Sequence, residues 1–208
     1  FPQGSEGSFA IIHHGPRGYN GSVYASGWSF NVPTQDLYDS YDVTDTRRGV
    51  AILDIEAWAE STGAEYSKGY EHTGYFNKKY IPYADDIVLQ DQNINRSNNY
   101  RAIRYVDVLL MAAEANLQAS VQKDNPQDLL DQVRDRAFGD SNNRITASLE
   151  NILNERRLEL AGEGHRFFDQ VRTGSTTSIP GFVPNKNEVF PIPRIEIELA
   201  GNRWEQNQ

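Results

Sequence analysis

Residues 154–172 read NERRLELAGEGHRFFDQVR, with Glu155, Glu159 and Glu163 spaced four apart. On a helix that spacing puts all three carboxyl groups on one face. Paired carboxylates are what glycoside hydrolysis requires, one protonated as general acid and the other ionised as base or nucleophile. Arg156, Arg157 and Arg166 are interleaved with them, however. Ion pairs along and between helices satisfy the same pattern. With Phe167 and Phe168 as anchors, the stretch is expected to be a packing module, and no catalytic residue is assigned.

The remaining reactive side chains give little chemistry. His13 and His14 are adjacent and would point to opposite faces of a strand. Neither they nor His72 and His165 sit in a His-x-x-x-His or His-Glu pair, so no metal site is expected. Asp36, Asp39, Asp42 and Asp45 recur every third residue. A calcium loop of the EF-hand type needs oxygens at alternate positions and a glycine at the sixth. These acids are instead expected to form the wet face of a short helix. The sequence holds no Gly-x-Ser-x-Gly elbow, phosphate loop or dinucleotide fingerprint. Zero cysteines remove thiol nucleophiles, disulfides and Cys-ligated metals. The expectation is a binding protein without a cofactor, not an enzyme.

Aromatic side chains are what is left. The 208 residues include 11 Tyr, 3 Trp and 9 Phe, and the net charge is −9. That sign opposes a phosphate backbone, so no nucleic-acid partner is expected. Tyr19, Tyr24 and Trp28 crowd one loop region; Trp58, Tyr66, Tyr70 and Tyr75 crowd another. A sugar lays its C–H face on such a ring while Arg17, Asn20, Asn31 or Glu65 could meet its hydroxyls. The competing reading is that the rings fill the core of a loop-rich half. Tyr19, Tyr24, Trp28, Trp58 and Tyr66 are the candidate ligand-binding residues, because binding specificity concentrates in loops.

Two stretches of different pattern must position these residues. Residues 1–99 are rich in Gly, Ser, Asn, Asp and Tyr, which predicts a loop-rich, partly β segment. Strands are expected at 9–14, 49–58 and 78–83, and a short helix over 32–42 with Thr34 as N-cap. After residue 100 the apolar period becomes 3.6. Ile103, Val106, Leu109, Leu110, Ala113 and Leu117 predict a helix over about 100–119. Asn125-Pro126 opens a second helix that stops at Gly139, a third spans about 147–161, and a short one runs from His165 to Val171. The fold class is mainly α, a helical-hairpin array of the tetratricopeptide type in residues 100–172. Residues 173–188 read as linker-like loop. No apolar run approaches the roughly 20 residues of a membrane helix. The opening FPQGSEG has neither the basic nor the apolar stretch of a signal peptide. Because it starts without Met, the chain is expected to be a processed or cut piece.

At this point a resemblance enters. ILNERRLELAGEGHRFFDQVRTG (152–174) resembles the signature of the SusD/RagB family, surface nutrient-binding lipoproteins that pair with a TonB-dependent outer-membrane transporter in Bacteroidota. Four further stretches resemble family segments in the same order. They are GWSFNVPTQDLYDSYD with DTRRG (27–49), YFNKKY (75–80), YRAIRYVDVLLMAAEANLQ (100–118) and EVFPIPRIEIELAGNRWEQNQ (188–208). The resemblance implies the C-terminal part of such a protein. Residues 1–99 would be its loop-rich variable part, and residues 100–208 its helical part with the Pro-rich tail. It implies an outer-membrane, surface-exposed lipoprotein whose lipid anchor lies outside this chain. Its partners would be an oligosaccharide ligand, a SusC-like TonB-dependent transporter and its own N-terminal half. Trp28 lies within a family motif and so could be scaffold. Two alternatives stand beside glycan capture: a peptide-capturing member, or a structural fragment with no ligand site of its own.

Overall fold

The computed structural model describes residues 9–86, 91 and 93–207. In chain order, a 3-10 turn (Ile12–His14) precedes helices α1 (Gln35–Asp39) and α2 (Arg47–Ala51), strand β1 (Ile52–Asp54), helix α3 (Ile55–Thr62) and strand β2 (Tyr75–Asn77). Helices α4 (Tyr105–Gln118), α5 (Pro126–Phe138), α6 (Leu149–Glu159), α7 (Arg166–Arg172) and α8 (Arg194–Leu199) follow. Among the described residues the molecule is mainly helical with one small sheet. Among the described residues no helix is long and apolar enough to cross a membrane.

Capping chemistry sets the helix starts. Thr34 accepts a hydrogen bond from the Leu37 N–H (3.2 Å) and opens α1. Asn125 accepts from the Gln127 N–H (3.1 Å), with Pro126 as the first residue of α5. Ser148 does the same for α6 through the Asn151 N–H (3.1 Å). Each satisfies a donor that has no partner inside its helix.

Several expectations for the first half are corrected. Residues 9–14 form turns and the 3-10 helix, not a strand. Within 49–58 only Ile52–Asp54 is extended, because the Asp54 carboxylate accepts from the Ala57 N–H (3.0 Å) and starts α3 at once. Residues 78–83 are largely turn and coil; the strand lies just upstream and pairs antiparallel with β1, Leu53 opposite Phe76. The four spaced aspartates share no wet face. Asp42 closes a turn on Thr44, and Asp45 is buried against Arg47 (2.6 Å).

Two compact units result, Phe1–Gly164 and His165–Gln208. The sequence pattern changes near residue 100, but helices α4–α6 fold together with the loop-rich layer. Val106, Leu110 and Ala113 of α4 pack on Leu130 and Val133 of α5 and Ile152 of α6. Tyr19, Tyr24, Leu53, Ile55, Phe76 and Ile81 form the core of the loop-rich layer. A third cluster, including Tyr41, Ile52, Tyr75 and Ala161, bridges the two, and the Tyr41 hydroxyl donates to the Leu158 carbonyl (2.7 Å). Within the second unit, Phe167 lies beside Phe168 and Phe190, with ring centroids 5.6 and 5.9 Å away. There the Gln206 side chain binds both backbone groups of Ile192 and ties the tail to the Pro-rich stretch.

Gly162 makes the bend after α6. Its φ is +76°, and its carbonyl accepts from the Asn77 amide of β2 (2.9 Å). A Cβ there would run into that amide. Gly162→Ala combines left-handed strain with overpacking, so it is expected to destabilise the protein by about 2–3 kcal/mol. A lowered urea midpoint at unchanged m-value checks this.

Candidate functional site

The three spaced glutamates are buried and ion-paired. Glu155 accepts from Arg47 (2.5 Å) and Arg134 (2.7 Å). Glu159 binds Arg136 (2.6 Å), Arg104 (3.0 Å) and Arg47 (3.2 Å). Glu163 holds Lys79 (2.6 Å) and Arg104 (2.7 Å). Burial alone would raise the pKa of Glu159, but Arg136, Arg104 and Arg47 outweigh it and hold the group below the usual glutamate range. The same balance, with Arg104 and Lys79, lowers Glu163. The arginines come from α2, α5 and the entry to α4, so the stretch that looked catalytic clamps those elements to α6 and the bend after it.

The aromatic residues build a cleft in the loop-rich layer. Residues 17–24 run beside residues 64–67. The Asn20 N–H donates to the Glu65 carbonyl (3.2 Å), and the Ser67 N–H donates to the Arg17 carbonyl (2.7 Å). The Asn20 side chain accepts from the Glu65 N–H (2.7 Å). Helix α3 stands alongside, and Gly63 ends it in the left-handed conformation (φ +71°). Trp58 projects from α3, and its indole N–H donates to the Tyr19 hydroxyl (2.9 Å). Behind them the Tyr24 ring lies 5.4 Å from Trp58 and 6.2 Å from Tyr19. The cavity at this junction measures about 300 Å³ and is lined by Tyr19, Asn20, Gly21, Ser22, Val23, Trp58, Thr62, Gly63 and Ala64.

Burial divides the five candidate residues. Tyr19 and Tyr24 are core residues, whereas Trp28, Trp58 and Tyr66 are half-buried. Burial, helped by the Tyr83 and Tyr19 phenols, pushes the Tyr24 hydroxyl up to about 12. Tyr19 and Trp58 line the cleft, and Tyr24 backs them. Tyr66 packs on the same core but pairs with His72, whose ring centroid is 5.6 Å away. Burial, then Lys68, holds His72 below its usual range. Trp28 belongs to another aromatic group, stacked on Phe9 (5.3 Å, 27°) and beside His13 (5.2 Å). The Arg17 guanidinium donates to the Trp28 carbonyl (2.9 Å), and the Asn31 side chain bonds His14 (2.9 Å). Sequence reading did not single out Ser22, Thr62 or Gly63 as cleft residues.

Comparison with known proteins agrees with this architecture. The SusD family profile matches residues 54–189. SusD-like protein P2 of Formosa agariphila is 29% identical over 93% of this chain and 43% of its own length. A laminarin binding SusD-like protein of known structure is 40% identical with a TM-score of 0.82, over 97% of this chain and 44% of the other. Surface glycan-binding protein A from Bacteroides thetaiotaomicron, in complex with laminarihexaose, is 29% identical with a TM-score of 0.84, over 96% of this chain and 46% of the other. The chain therefore spans less than half the length of each of these proteins. The profile covers well over half of the chain, and the fold superposes along almost all of it: the chain belongs to the SusD family.

Proposed function

We propose that this chain is the glycan-binding C-terminal part of a SusD-like surface protein. It captures an oligosaccharide and delivers it to a SusC-like TonB-dependent transporter for nutrient uptake. The observation that carries the reading is the likeness, over 97% of the chain, to a protein described as laminarin binding. The aromatic surface supports it. Trp58 offers part of an indole face at the cleft, with Tyr19 fixing the ring and Tyr24 behind it. Trp28 and Tyr66 offer two further half-buried rings. Ring faces take up the apolar side of a sugar, and the polar rim meets its hydroxyls. No bond is broken. The protein acts at the outer-membrane surface as a lipoprotein, together with the N-terminal half of its polypeptide.

Affinity electrophoresis tests the reading. Migration of the chain, and of the complete gene product, is expected to slow in gels containing laminarin. A panel of other polysaccharides run beside it reads the selectivity. Peptide binding without retardation by any polysaccharide would replace glycan capture with the peptide-capturing alternative.

A further inference from the structure

The cleft wall contains a chemically reactive pair. Asn20–Gly21 is the one Asn-Gly step in the 208 residues, and both residues line the cavity beside Tyr19. The backbone nitrogen of the following residue can attack an asparagine side chain, and a side chain on that residue shields the nitrogen. Glycine has no such shield. The fold leaves no other choice at position 21, because a Cβ there would collide with the Tyr19 hydroxyl and the Ala64 methyl. Tyr19 cannot swing away: it is a core residue, and its hydroxyl accepts the Trp58 indole N–H (2.9 Å). The packing that fixes Trp58 therefore imposes glycine directly after an asparagine that is exposed and sits in a loop.

Asn20 is also what ties that loop down. Its N–H donates to the Glu65 carbonyl (3.2 Å), and its side-chain oxygen accepts from the Glu65 N–H (2.7 Å). Its side-chain N–H donates to the Glu65 carboxylate (3.2 Å). We infer that Asn20 is a modification site, which converts without an enzyme to aspartate and isoaspartate and so unties the cleft wall from residue 65. The Gly21 nitrogen bonds to the Asn20 side-chain carbonyl carbon, and the side-chain amide leaves as ammonia with the Gly21 proton. Water then opens the five-membered imide. Breaking its bond to the side-chain carbonyl carbon gives aspartate. Breaking the bond to the main-chain carbonyl carbon gives isoaspartate, which lengthens the backbone by one carbon. No oxidant or reductant is needed. Either product carries a carboxylate where Asn20 held a donor, so two like charges face each other across the former 3.2 Å hydrogen bond. The inference stands whatever ligand the cleft takes.

Mass spectrometry tests the chemistry. The folded chain and a free peptide of residues 17–24 are incubated in the same mildly alkaline buffer. The proteolytic fragment that holds Asn20 is expected to gain the mass of an amide-to-acid change, and its isoaspartate to accept a methyl group from an isoaspartyl methyltransferase. Conversion should run about 10–30-fold more slowly than in the peptide, because two side-chain hydrogen bonds to Glu65 must open first. Asn20→Gln, which would need a six-membered imide, should gain no mass in this fragment. A folded chain still unchanged when the peptide has reacted to completion would overturn the inference. Asn20→Asp makes one of the products directly and should raise the unfolding equilibrium constant at pH 7 about 5-fold. Adding Glu65→Gln restores the pair with donor and acceptor exchanged, and should recover most of that loss. Unchanged stability of Asn20→Asp would show that conversion unties nothing, and would overturn that part.

Discussion

Glu159→Ala is expected to lower stability by about 3–5 kcal/mol, because it strips a buried charge from three partners at once. Arg136, Arg104 and Arg47 all reach this carboxylate, which is 4% exposed. Removing it leaves guanidinium groups held near one another without their counter-charge. Arg47 retains Glu155 and Asp45, and Arg104 retains Glu163. The loss should therefore be large but short of complete unfolding. Urea denaturation at pH 7, followed by far-UV circular dichroism, measures it. A shift under 1 kcal/mol would mean that the clamp adds little to packing. The pH dependence has a definite sign. Glu159 and Glu163 are held below the usual glutamate range, so their contribution is complete above the unfolded value of about 4.3. It is lost as pH falls through the lower folded values, which places the loss below about pH 4. The Glu159→Ala protein should lose less on acidification than its parent.

Local chemistry explains which parts of this fold were legible. The Thr34, Asn125 and Gly139 signals mark helix ends because each satisfies or frees a backbone group within a few residues of itself. Residues 9–14 misled because a short apolar run looks alike in a strand and in a buried turn. At 49–58 the β-prone run is real, yet the Asp54 side chain cuts the strand at three residues by capping α3. The acidic stretch could be read as structural from its interleaved arginines. Its actual partners were invisible, since Arg47 lies 112 residues from Glu159 and 108 from Glu155. The cleft shares that difficulty. Tyr19 and Trp58 meet across 39 residues, and nothing local says which aromatic becomes core and which keeps an open face.

That division of labour predicts different outcomes at two residues of the same cleft. Trp58→Ala removes the open ring, and a stacked aromatic contributes about 1.5–2 kcal/mol through buried area and ring-face contact. On the glycan-binding reading proposed above, affinity for the oligosaccharide should weaken by about 10–30-fold. Tyr19→Phe keeps the ring and its core packing but removes the hydroxyl that accepts the indole N–H at 2.9 Å. The indole then loses its anchor, a hydrogen bond worth about 1 kcal/mol, so affinity should fall by only about 3–5-fold. Isothermal titration calorimetry on both variants separates the roles. If Tyr19→Phe is as damaging as Trp58→Ala, the Tyr19 hydroxyl touches the sugar directly. If Trp58→Ala binds like the parent while Trp28→Ala does not, the binding face lies with Trp28 and Phe9, whose stacked rings form the other aromatic group. The cleft would then be a packing feature of the loop-rich core. The expected order, Trp58→Ala well below Tyr19→Phe, follows from one physical difference: Trp58 still has surface to give a ligand, and Tyr19 has already spent its surface holding Trp58 in place.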